Sequence, residues 1–461
     1  MVGAAVPLGP EAAAGDTEEG CKNGDSVDVF AAVKKHLLAN FSNDCLPEDR
    51  LTFVCNLGAG EFGRVDKYEY LDRKSEKKKT LALKLLNQDL ITNPKDVKNF
   101  VNEMRTLKQL HHPSIAAYLG TGTIKAAAAD GEVLEHLFMA QECCQGENMQ
   151  DLILKQMKMK PREQLYQWSE VMTWMIHVCS GLQYMHEHKP MIIHRDLKPA
   201  NIILVDNGDG TRSAKLVDFG LHKVIHIHSE DSIRGGEALF SGSRHSGPFM
   251  LTNGPGSRDG TNHSNSLHQG QRALEELISN GHTSMGKNGS VHARSNFKAI
   301  EGQAFQMTGG CGSLIYMAPE VHRGEAYNQS VDVFAVALIF WELFAFRMQI
   351  TMVGAGEGGL SFQALNEYTA NVCCGLRPPL PKMWPKPLRT LFEDMWEQDF
   401  LLRPSFREIV ARLEQIQVAV TELEKNGNAP YFMGVLPGMR LQPPKPQKES
   451  LVKKFKSLFK T

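Results

Sequence analysis

The sequence predicts an α+β protein with a small, sheet-rich first lobe and a larger, helix-rich second lobe. From about residue 50 the apolar and aromatic residues form short runs separated by glycines, which is typical of strands. After residue 149 the apolar residues recur mostly at helical spacing. Strands followed by helices along the chain favour an α+β arrangement, and 461 residues are enough for two lobes and additional tails.

The first lobe is predicted over about residues 49–144 as a small antiparallel sheet with one main helix. The stretch LTFVCNLGAGEFGRVDKYEYL holds two strand-like runs, and TLALKLLN is a third strand candidate. KDVKNFVNEMRTLKQL places its apolar residues along one helical face. IAAYLGTGTI and HLFMAQEC then return to the strand pattern.

The second lobe is predicted over about residues 145–420 and is mainly helical. Its helix candidates are EVMTWMIHVCSGLQYMHEHK, SVDVFAVALIFWELFAF, PLRTLFEDMWEQ and FREIVARLEQIQVAVTELEK. The longest strongly apolar run, VFAVALIFW, is far shorter than the roughly 20 residues that a membrane-spanning helix needs.

Two tails flank the lobes. Residues 1–48 are predicted to be a flexible tail with a short helix over 28–40, and residues 421–461 are a C-terminal tail. Within the second tail, residues 449–460 combine lysines with apolar residues on one helical face. Such a basic amphipathic helix suits an anionic membrane or the groove of a partner protein; a helix packed on the second lobe, or a solvated tail, is the alternative.

An insert interrupts the second lobe. Residues 222–305 are rich in Gly, Ser, His and Asn, so they offer little to a packed core and are predicted to be mainly disordered. QRALEELISNGH, residues 271–282, is the exception and has one apolar helical face. It is either a docking helix or a transient helix without a partner.

Charge and cysteine usage indicate an intracellular protein. The net charge of −1 gives no overall field that favours nucleic acid, so no nucleic-acid partner is expected. The N-terminus lacks the basic and apolar regions of a signal peptide. The nine cysteines are scattered without metal-binding spacing, and we interpret them as reduced thiols. The expected location is cytoplasmic, with peripheral membrane association through the basic tail as an option.

A glycine-rich stretch, LGAGEFGRV, carries the spacing G-x-G-x-x-G at Gly58, Gly60 and Gly63. Glycine lets backbone amides approach a phosphate closely, because no Cβ stands in the way. A Rossmann turn shares this spacing but leads directly into a helix. Here the following residues, RVDKYEYL, have the pattern of a second strand, which predicts a hairpin loop over a phosphate.

A lysine and a glutamate follow at positions that favour an ion pair. Lys84 ends the apolar strand LALK, where its methylenes can be buried while its ammonium reaches a phosphate. Glu103 lies on the predicted helix, flanked by Phe100, Met104 and Leu107. A carboxylate on an apolar face needs a cationic partner, and Lys84 is the candidate.

The stretch IIHRDLKPANIIL holds charged and amide side chains between two apolar runs. Asp196 can accept a proton from a hydroxyl, and Lys198 can balance charge on a transferred phosphoryl group. Asn201 offers a carbonyl oxygen to a hard cation, and Asp218 of KLVDFG is a second oxygen ligand. Phosphoryl transfer needs this combination of metal ligands, phosphate-holding lysine and nucleophile-orienting residue.

In this order the motifs resemble those of the eukaryotic protein kinase family over about residues 50–420, apart from the insert. The ordered set is GAGEFG, LALK, a helical glutamate, HRDLKPAN, DFG, MAPE, DVF and RPSF. The resemblance implies the bilobal protein kinase fold over residues 49–420, with ATP and Mg²⁺ as cofactors.

Carried over residue by residue, the resemblance implies chemical roles. Asp196 is the catalytic aspartate, and Lys84 holds the α and β phosphates of ATP while paired with Glu103. Asn201 and Asp218 hold Mg²⁺. The implied catalytic set is Asp196, Lys198, Asn201, Lys84 and Glu103. The implied nucleotide-binding set is Leu57, Gly58, Ala59, Gly60, Glu61, Phe62, Gly63, Val65, Ala82, Lys84, Gln141, Glu142, Cys144, Ile203 and Asp218.

The resemblance also implies structural roles. Gln141 stands at the gatekeeper position, and its polar group is expected to be hydrogen-bonded. His194 and Phe219 belong to the regulatory spine with Leu107, which Asp332 anchors. Glu320 of MAPE and Arg403 of RPSF are expected to form an ion pair.

Two positions indicate serine or threonine as the acceptor. Lys198, two residues after Asp196, is the Ser/Thr-kinase pattern, and Ser313 stands where such kinases have a Thr or Ser that bridges both residues. TGGCGSLIYMAPEV and DVFAVALIFWEL look most like the tyrosine-kinase-like group, whose members are mostly Ser/Thr kinases. Arg195 indicates control by activation-segment phosphorylation, with Thr308 as the candidate site and an ordinary exposed threonine as the alternative.

The function implied is an ATP-dependent protein Ser/Thr kinase that transfers the γ-phosphoryl group to protein substrates in intracellular signalling. The alternative is a pseudokinase scaffold that acts through its insert and basic tail. Intact Lys84, Asp196, Asn201 and Asp218 argue against the scaffold. A kinase of small molecules is disfavoured by MAPE and RPSF, which belong to a peptide-binding second lobe.

Overall fold

The α+β class predicted from the sequence is confirmed in a computed structural model, in which an antiparallel sheet with one main helix precedes a largely helical lobe. The structure describes residues 29–60, 63–72, 75–86, 94–127, 133–160, 163–220, 222–225, 314–352 and 362–425.

The elements follow the order of the predicted patterns. The described strands are β1 Leu51–Gly60, β2 Gly63–Leu71, β3 Lys78–Leu86, β4 Tyr118–Ala127, β5 Val133–Glu142, β6 Gly146–Asn148, β7 Met191–Ile193, β8 Ile202–Asp206, β9 Arg212–Leu216 and β10 Lys223–Ile225. The described helices are α1 Val29–Asn40, α2 Pro94–Gln109, α3 Met149–Met157, α4 Trp168–Glu187, α5 Pro319–His322, α6 Ser330–Phe344, α7 Phe362–Cys373, α8 Lys386–Met395 and α9 Phe406–Lys425.

The first lobe is a five-stranded sheet in the order β1-β2-β3-β5-β4, with every neighbouring pair antiparallel. The apolar stripe of α2 is buried, including Phe100, Met104 and Leu107. These side chains join a core that continues into the second lobe. Burial of that stripe fixes which face of α2 turns inward, and with it the position of Glu103.

The helix α1 confirms the short helix predicted in the N-terminal tail. Its Val33 and Leu37 are buried in the same core as the apolar face of α2. Lys34 Nζ lies 2.6 Å from Glu135 Oε1 on β5. Hydrogen bonds and ion pairs to the first lobe continue as far as residue 48. Residues 29–48 are therefore packed, whereas the sequence pattern predicted a flexible tail there.

The second lobe is built around α6, whose residues are all buried. The apolar run noticed in the sequence is thus the central helix of this lobe. The helices α4 and α9 pack against each other beside it, with Ile409 and Leu413 of α9 fully buried. No helix in the described part of the chain has both the length and the apolar character that crossing a membrane requires.

Short strands position the loops where the two lobes meet. The strands β6, β8 and β9 form one antiparallel sheet, and β7 pairs with β10 in another. The stretch 194–201 connects β7 to β8, and residues 217–220 follow β9. The charged motifs of the sequence therefore lie in loops held at both ends by strands.

Candidate active site

A lysine, a glutamate and an aspartate come together where the two lobes meet. The strand β3 carries Lys84, the helix α2 carries Glu103, and Asp218 follows β9. Lys84 Nζ lies 2.9 Å and 3.0 Å from the two carboxylate oxygens of Glu103 and 2.9 Å from Asp218 Oδ1. The predicted ion pair of Lys84 with Glu103 is confirmed, and Asp218 is a second partner of the same ammonium group.

The ammonium of Lys84 and the carboxylate of Asp218 are charged at neutral pH, with Lys84 buried and Asp218 partly exposed. Burial raises the pKa of Glu103, although the ammonium of Lys84 acts to lower it. Burial acts to lower the pKa of Lys84, but the carboxylates of Glu103 and Asp218 raise it above its ordinary value. Burial likewise acts to raise the pKa of Asp218, but Lys84 and the Gly220 N–H hold it below its ordinary value. The ammonium of Lys84 can therefore bind an anion, and the carboxylate of Asp218 beside it can bind a cation.

The stretch between β7 and β8 orients a second carboxylate. Lys198 Nζ donates to Asp196 Oδ2 at 2.9 Å. Asn201 Nδ2 donates to the main-chain oxygen of Asp196 at 2.9 Å and to its Oδ2 at 3.3 Å. Because two donors hold the same oxygen, the carboxylate of Asp196 has one preferred orientation. The structure thus brings the three predicted residues of this motif together.

The helix α6 anchors the stretch between β7 and β8 through Asp332. Buried Asp332 accepts hydrogen bonds from the N–H groups of His194 at 2.8 Å and Arg195 at 2.9 Å. Arg195 has a φ of 69°, a left-handed conformation that few residues other than glycine adopt. The two hydrogen bonds to Asp332 hold this unfavourable backbone in place. The anchoring position predicted for Asp332 is confirmed.

Two further contacts predicted from the motifs are present. The rings of His194 and Phe219 pack with their centroids 4.9 Å apart. Arg403 Nη1 lies 2.6 Å from Glu320 Oε1 and Nη2 lies 2.9 Å from Glu320 Oε2, with both side chains fully buried. The expected pair of Glu320 and Arg403 is confirmed, and it ties the MAPE stretch to the start of α9.

The predicted gatekeeper differs from expectation in one respect. Gln141 pairs with Ala82 across the strands β3 and β5, so it lies beside a residue predicted to contact adenine. Its Nε2 is buried and has no hydrogen-bond partner within the described part of the chain. The expectation that this amide is hydrogen-bonded is wrong for Nε2. Ala82 on one side of it is apolar, and the buried hydroxyl of Tyr118 on the other side likewise has no described partner.

The residues after the gatekeeper connect the two lobes. The carboxylate of Glu142 accepts from Lys215 Nζ at 2.7 and 2.8 Å. Burial raises the pKa of the Cys144 thiol to about 12, so this sulfur stays protonated. The Glu142 N–H donates to Ala117 O at 2.8 Å, whereas the N–H of Cys144 donates to no other residue of the described ranges. That amide is therefore available to a ligand.

The other predicted nucleotide-binding residues lie on strands of both lobes. Leu57 lies in β1 and is half exposed, as expected for a side chain that covers a ligand. The remaining described positions are Gly58, Ala59 and Gly60 in β1, Gly63 and Val65 in β2, Ala82 in β3 and Ile203 in β8.

Several predictions fall outside the described residues. They are Glu61 and Phe62 of the glycine loop, Thr308 and Ser313 of the activation segment, residues 226–305 of the insert and residues 426–461 of the C-terminal tail. The first four residues predicted for the insert, 222–225, belong to the fold and include β10. The helix α9 ends at Lys425, five residues beyond the predicted domain end.

Three residues near the site were not singled out from the sequence. His222 contacts Thr106 of α2 and the backbone of Phe219, and Lys215 contacts Glu142. His222 lies at the edge of a low-complexity segment, and Thr106 is one polar residue on a helix, so neither carries a motif. For Lys215, the one available sequence signal is a charged residue within the alternating apolar and polar pattern of β9.

A strand lobe and a helical lobe that converge on Lys84, Glu103, Asp196 and Asp218 define a phosphoryl-transfer site of the protein kinase type. The family model of the protein kinase domain matches residues 51–243 and 294–413. The chain therefore belongs to the protein kinase family, as its motifs predicted. The unmatched residues 244–293 lie within the predicted insert.

The chain is similar to several proteins that are named as protein kinases. The chain is 25% identical to a "probable serine/threonine-protein kinase" of Dictyostelium discoideum, covering 82% of this chain and 29% of the relative. It is 23% identical to serine/threonine-protein kinase VIK of Arabidopsis thaliana, with coverages of 78% and 59%. It is 24% identical to human mitogen-activated protein kinase kinase kinase 7, with coverages of 77% and 40%. The chain thus spans between 29% and 59% of the length of these relatives. The resemblance to Ser/Thr kinases near the tyrosine-kinase-like group is confirmed.

Proposed function

We propose that the chain is an ATP-dependent protein Ser/Thr kinase, which transfers the γ-phosphoryl group of ATP to hydroxyl groups of protein substrates. The observation that carries this proposal is the assembled Lys84–Glu103–Asp218 cluster, in which one ammonium contacts two carboxylates at 2.9 Å. Burial of the Lys84 ammonium and the Glu103 carboxyl group costs desolvation free energy. Binding of a phosphate and a cation to this cluster explains why that cost is tolerated.

Residues of both lobes bind ATP in this proposal. The ammonium of Lys84, held in place by Glu103, binds the α and β phosphates. The glycine backbone from Gly58 to Gly63 covers the phosphates, and the N–H of Cys144 meets the adenine edge. These contacts fix the nucleotide between the lobes, so that its terminal phosphate lies towards Asp196.

Asp196 is the residue that orients the acceptor hydroxyl and takes its proton. Its Oδ2 is held by Lys198 and Asn201, which leaves the carboxylate in one orientation for an incoming hydroxyl. Lys198 also places a positive charge next to the position where negative charge develops on the transferred group. Positioning and electrostatic stabilisation are the main contributions that such a reaction needs from the protein.

The chain offers a donor set that fits Mg²⁺. Asn201 uses Nδ2 for both of its described side-chain hydrogen bonds, so Oδ1 is the acceptor left on the side-chain amide. Asp218 is ionised and provides a carboxylate oxygen. Oxygen ligands of this kind suit a hard divalent cation, and Asn201 with Asp218 would hold it. Bound Mg²⁺ neutralises charge on the phosphates during transfer.

Serine or threonine specificity is proposed from Lys198, together with Ser313 in the resemblance to Ser/Thr kinases, and the names of the relatives support it. The relative named mitogen-activated protein kinase kinase kinase 7 acts on a protein kinase according to its name, which favours a protein substrate and a signalling role here. We further propose a cytoplasmic location and contact of residues 449–460 with an anionic membrane or a partner protein.

Product analysis tests this function. The purified chain is incubated with γ-labelled ATP, Mg²⁺ and a generic basic protein, beside Asp196→Asn and the matched control Asp206→Asn at the exposed end of β8. We expect label on serine or threonine of the protein, lost in Asp196→Asn and retained in Asp206→Asn. Label on tyrosine would contradict the acceptor specificity. Bound nucleotide without any transfer would favour a scaffold.

A further inference from the structure

The backbone N–H of Phe219 is held directly by the helix α2, and its carbonyl oxygen is linked to the same helix through His222. The Phe219 N–H donates to Glu103 Oε1 at 3.3 Å. The Phe219 carbonyl oxygen lies 2.5 Å from Nδ1 of His222, and Nε2 of the same ring lies 2.7 Å from Oγ1 of Thr106. Thr106 is three residues after Glu103, so both belong to one face of α2.

The chemistry of the partners determines the tautomer of His222. A carbonyl oxygen can only accept, so the proton lies on Nδ1 and points to Phe219. Nε2 then carries a lone pair and accepts from the hydroxyl of Thr106. Burial lowers the pKa of His222 to about 4, so the ring is neutral at pH 7 and keeps this donor and acceptor pattern.

The chain of hydrogen bonds from Thr106 through His222 to Phe219, which we call the bridge, is a second link between α2 and the loop after β9, besides the contact of Glu103 with Phe219. A cavity of about 510 Å³ lies between α2 and the chain after Asp218, with Thr106, Gly220 and His222 among its lining residues. Across this space the hydrogen bonds of His222 connect Thr106 to the loop, three residues after the Glu103 contact along α2. Asp218 precedes Phe219 and has a φ of 62°, a conformation that needs external support.

We propose that Thr106 and His222 are positioning residues, which lock the Phe219 backbone to α2 so that Asp218 and Glu103 reach Lys84 together. The inference rests on the proposed kinase function and adds two residues to its machinery. The hydroxyl of Thr106 on α2 thereby affects the orientation of the Asp218 carboxylate in the other lobe. Loss of the bridge lets Asp218 rotate away from the orientation in which it would hold Mg²⁺.

The decisive pair of variants is Thr106→Val and Thr106→Ser. Valine keeps the branched shape and removes the hydroxyl, whereas serine keeps the hydroxyl. We expect Thr106→Val to lower kcat by about 5- to 100-fold, because a buried acceptor on His222 loses its donor. The Mg²⁺ concentration for half-maximal rate rises, and the KM for the protein substrate is unchanged. Thr106→Ser stays within about twofold of the wild type.

A matched control and a second site sharpen the test. Thr369 lies in α7, and its hydroxyl donates to Leu365 O at 2.9 Å, so Thr369→Val removes a helical hydroxyl far from the site. It is expected to leave kcat unchanged. His222→Asn offers an N–H to Phe219 but does not reach Thr106, so it should match Thr106→Val. The double variant Thr106→Val with His222→Asn should lose no more kcat than either single variant, since both substitutions remove the same link.

Hydrogen exchange of the free protein provides a readout without catalysis. We expect amides of residues 217–220 to exchange at least about fivefold faster in Thr106→Val than in the wild type or Thr106→Ser. Equal exchange and equal kcat in Thr106→Val would overturn the inference, as would additive losses in the double variant. If the wild type transfers no phosphate, the proposed function fails, and the exchange rates still decide whether the bridge holds the loop.

Discussion

The buried ion pair between Arg403 and Glu320 gives a quantitative prediction for the stability of the second lobe. The replacement Arg403→Met keeps most of the side-chain volume but removes the guanidinium. That group donates to both oxygens of Glu320 at 2.6 and 2.9 Å, and also to Ser330 O at 3.2 Å and Glu397 O at 2.8 Å. The variant therefore leaves a carboxylate and two carbonyl groups without this donor.

The magnitude follows from the burial of both partners. Both side chains are 0% exposed, so water cannot replace the lost donor. Removal of one partner of such a pair costs about 3–5 kcal/mol, because an uncompensated charge remains inside the protein. The double variant Arg403→Met with Glu320→Gln removes that charge as well. It should recover at least about 1 kcal/mol relative to the sum of the single losses.

Urea unfolding followed by tryptophan fluorescence measures these losses. The matched control is Arg407→Met, since Arg407 Nη2 lies 2.9 Å from Glu187 Oε1 while the two side chains are 72% and 45% exposed. An exposed pair contributes at most about 1 kcal/mol, so the control should unfold almost like the wild type. A loss in Arg403→Met no larger than that of the control would refute the assignment of this pair as a structural anchor.

Three other variants test separate parts of the structure. Leu37→Ala should lower the free energy of unfolding by about 2–5 kcal/mol because Leu37 is fully buried, whereas the exposed neighbour variant Lys35→Ala should change it by less than about 0.5 kcal/mol. Gln141→Met should stabilise the fold by about 1 kcal/mol, since it removes a buried amide nitrogen without a described partner; a loss of stability would show a hidden partner. Burial raises the pKa of Glu342 from 4.5 to about 8, so its contribution is fully present below about pH 4.5 and is lost as the pH rises through about 8. Glu342→Gln should therefore gain stability relative to the wild type as the pH rises from about 4.5 to about 8, by at most about 1.4 kcal/mol per pH unit, and parallel pH profiles would contradict this.

Much of the candidate site could be predicted because its residues lie in short motifs or break an apolar pattern. Asp196, Lys198 and Asn201 fall within six positions, so a single loop fixes their geometry. Glu103 stands on an apolar helical face, and the cost of a buried charge identified Lys84 as its partner. The two lobes followed from the change of hydrophobic period along the chain.

The remaining features depend on tertiary packing that no local pattern records. His222 contacts Thr106 across 116 positions, and neither residue belongs to a periodic pattern or a motif. The general rule that buried amides are hydrogen-bonded suggested a partner for Gln141, but the register of β3 against β5 places Ala82 beside it. The apolar residues of α1 do not show from sequence which surface this helix packs against.

The most direct test of the kinase assignment is the rate of phosphate transfer by Asp196→Asn measured together with its affinity for ATP. The carboxylate of Asp196 is assigned to the acceptor hydroxyl, whereas Lys84 and the glycine loop are assigned to the nucleotide. We predict that kcat falls by about 10²- to 10⁴-fold while the Kd for ATP changes by less than about threefold. An unchanged rate, or an equal loss of ATP affinity, would contradict the roles assigned to this site.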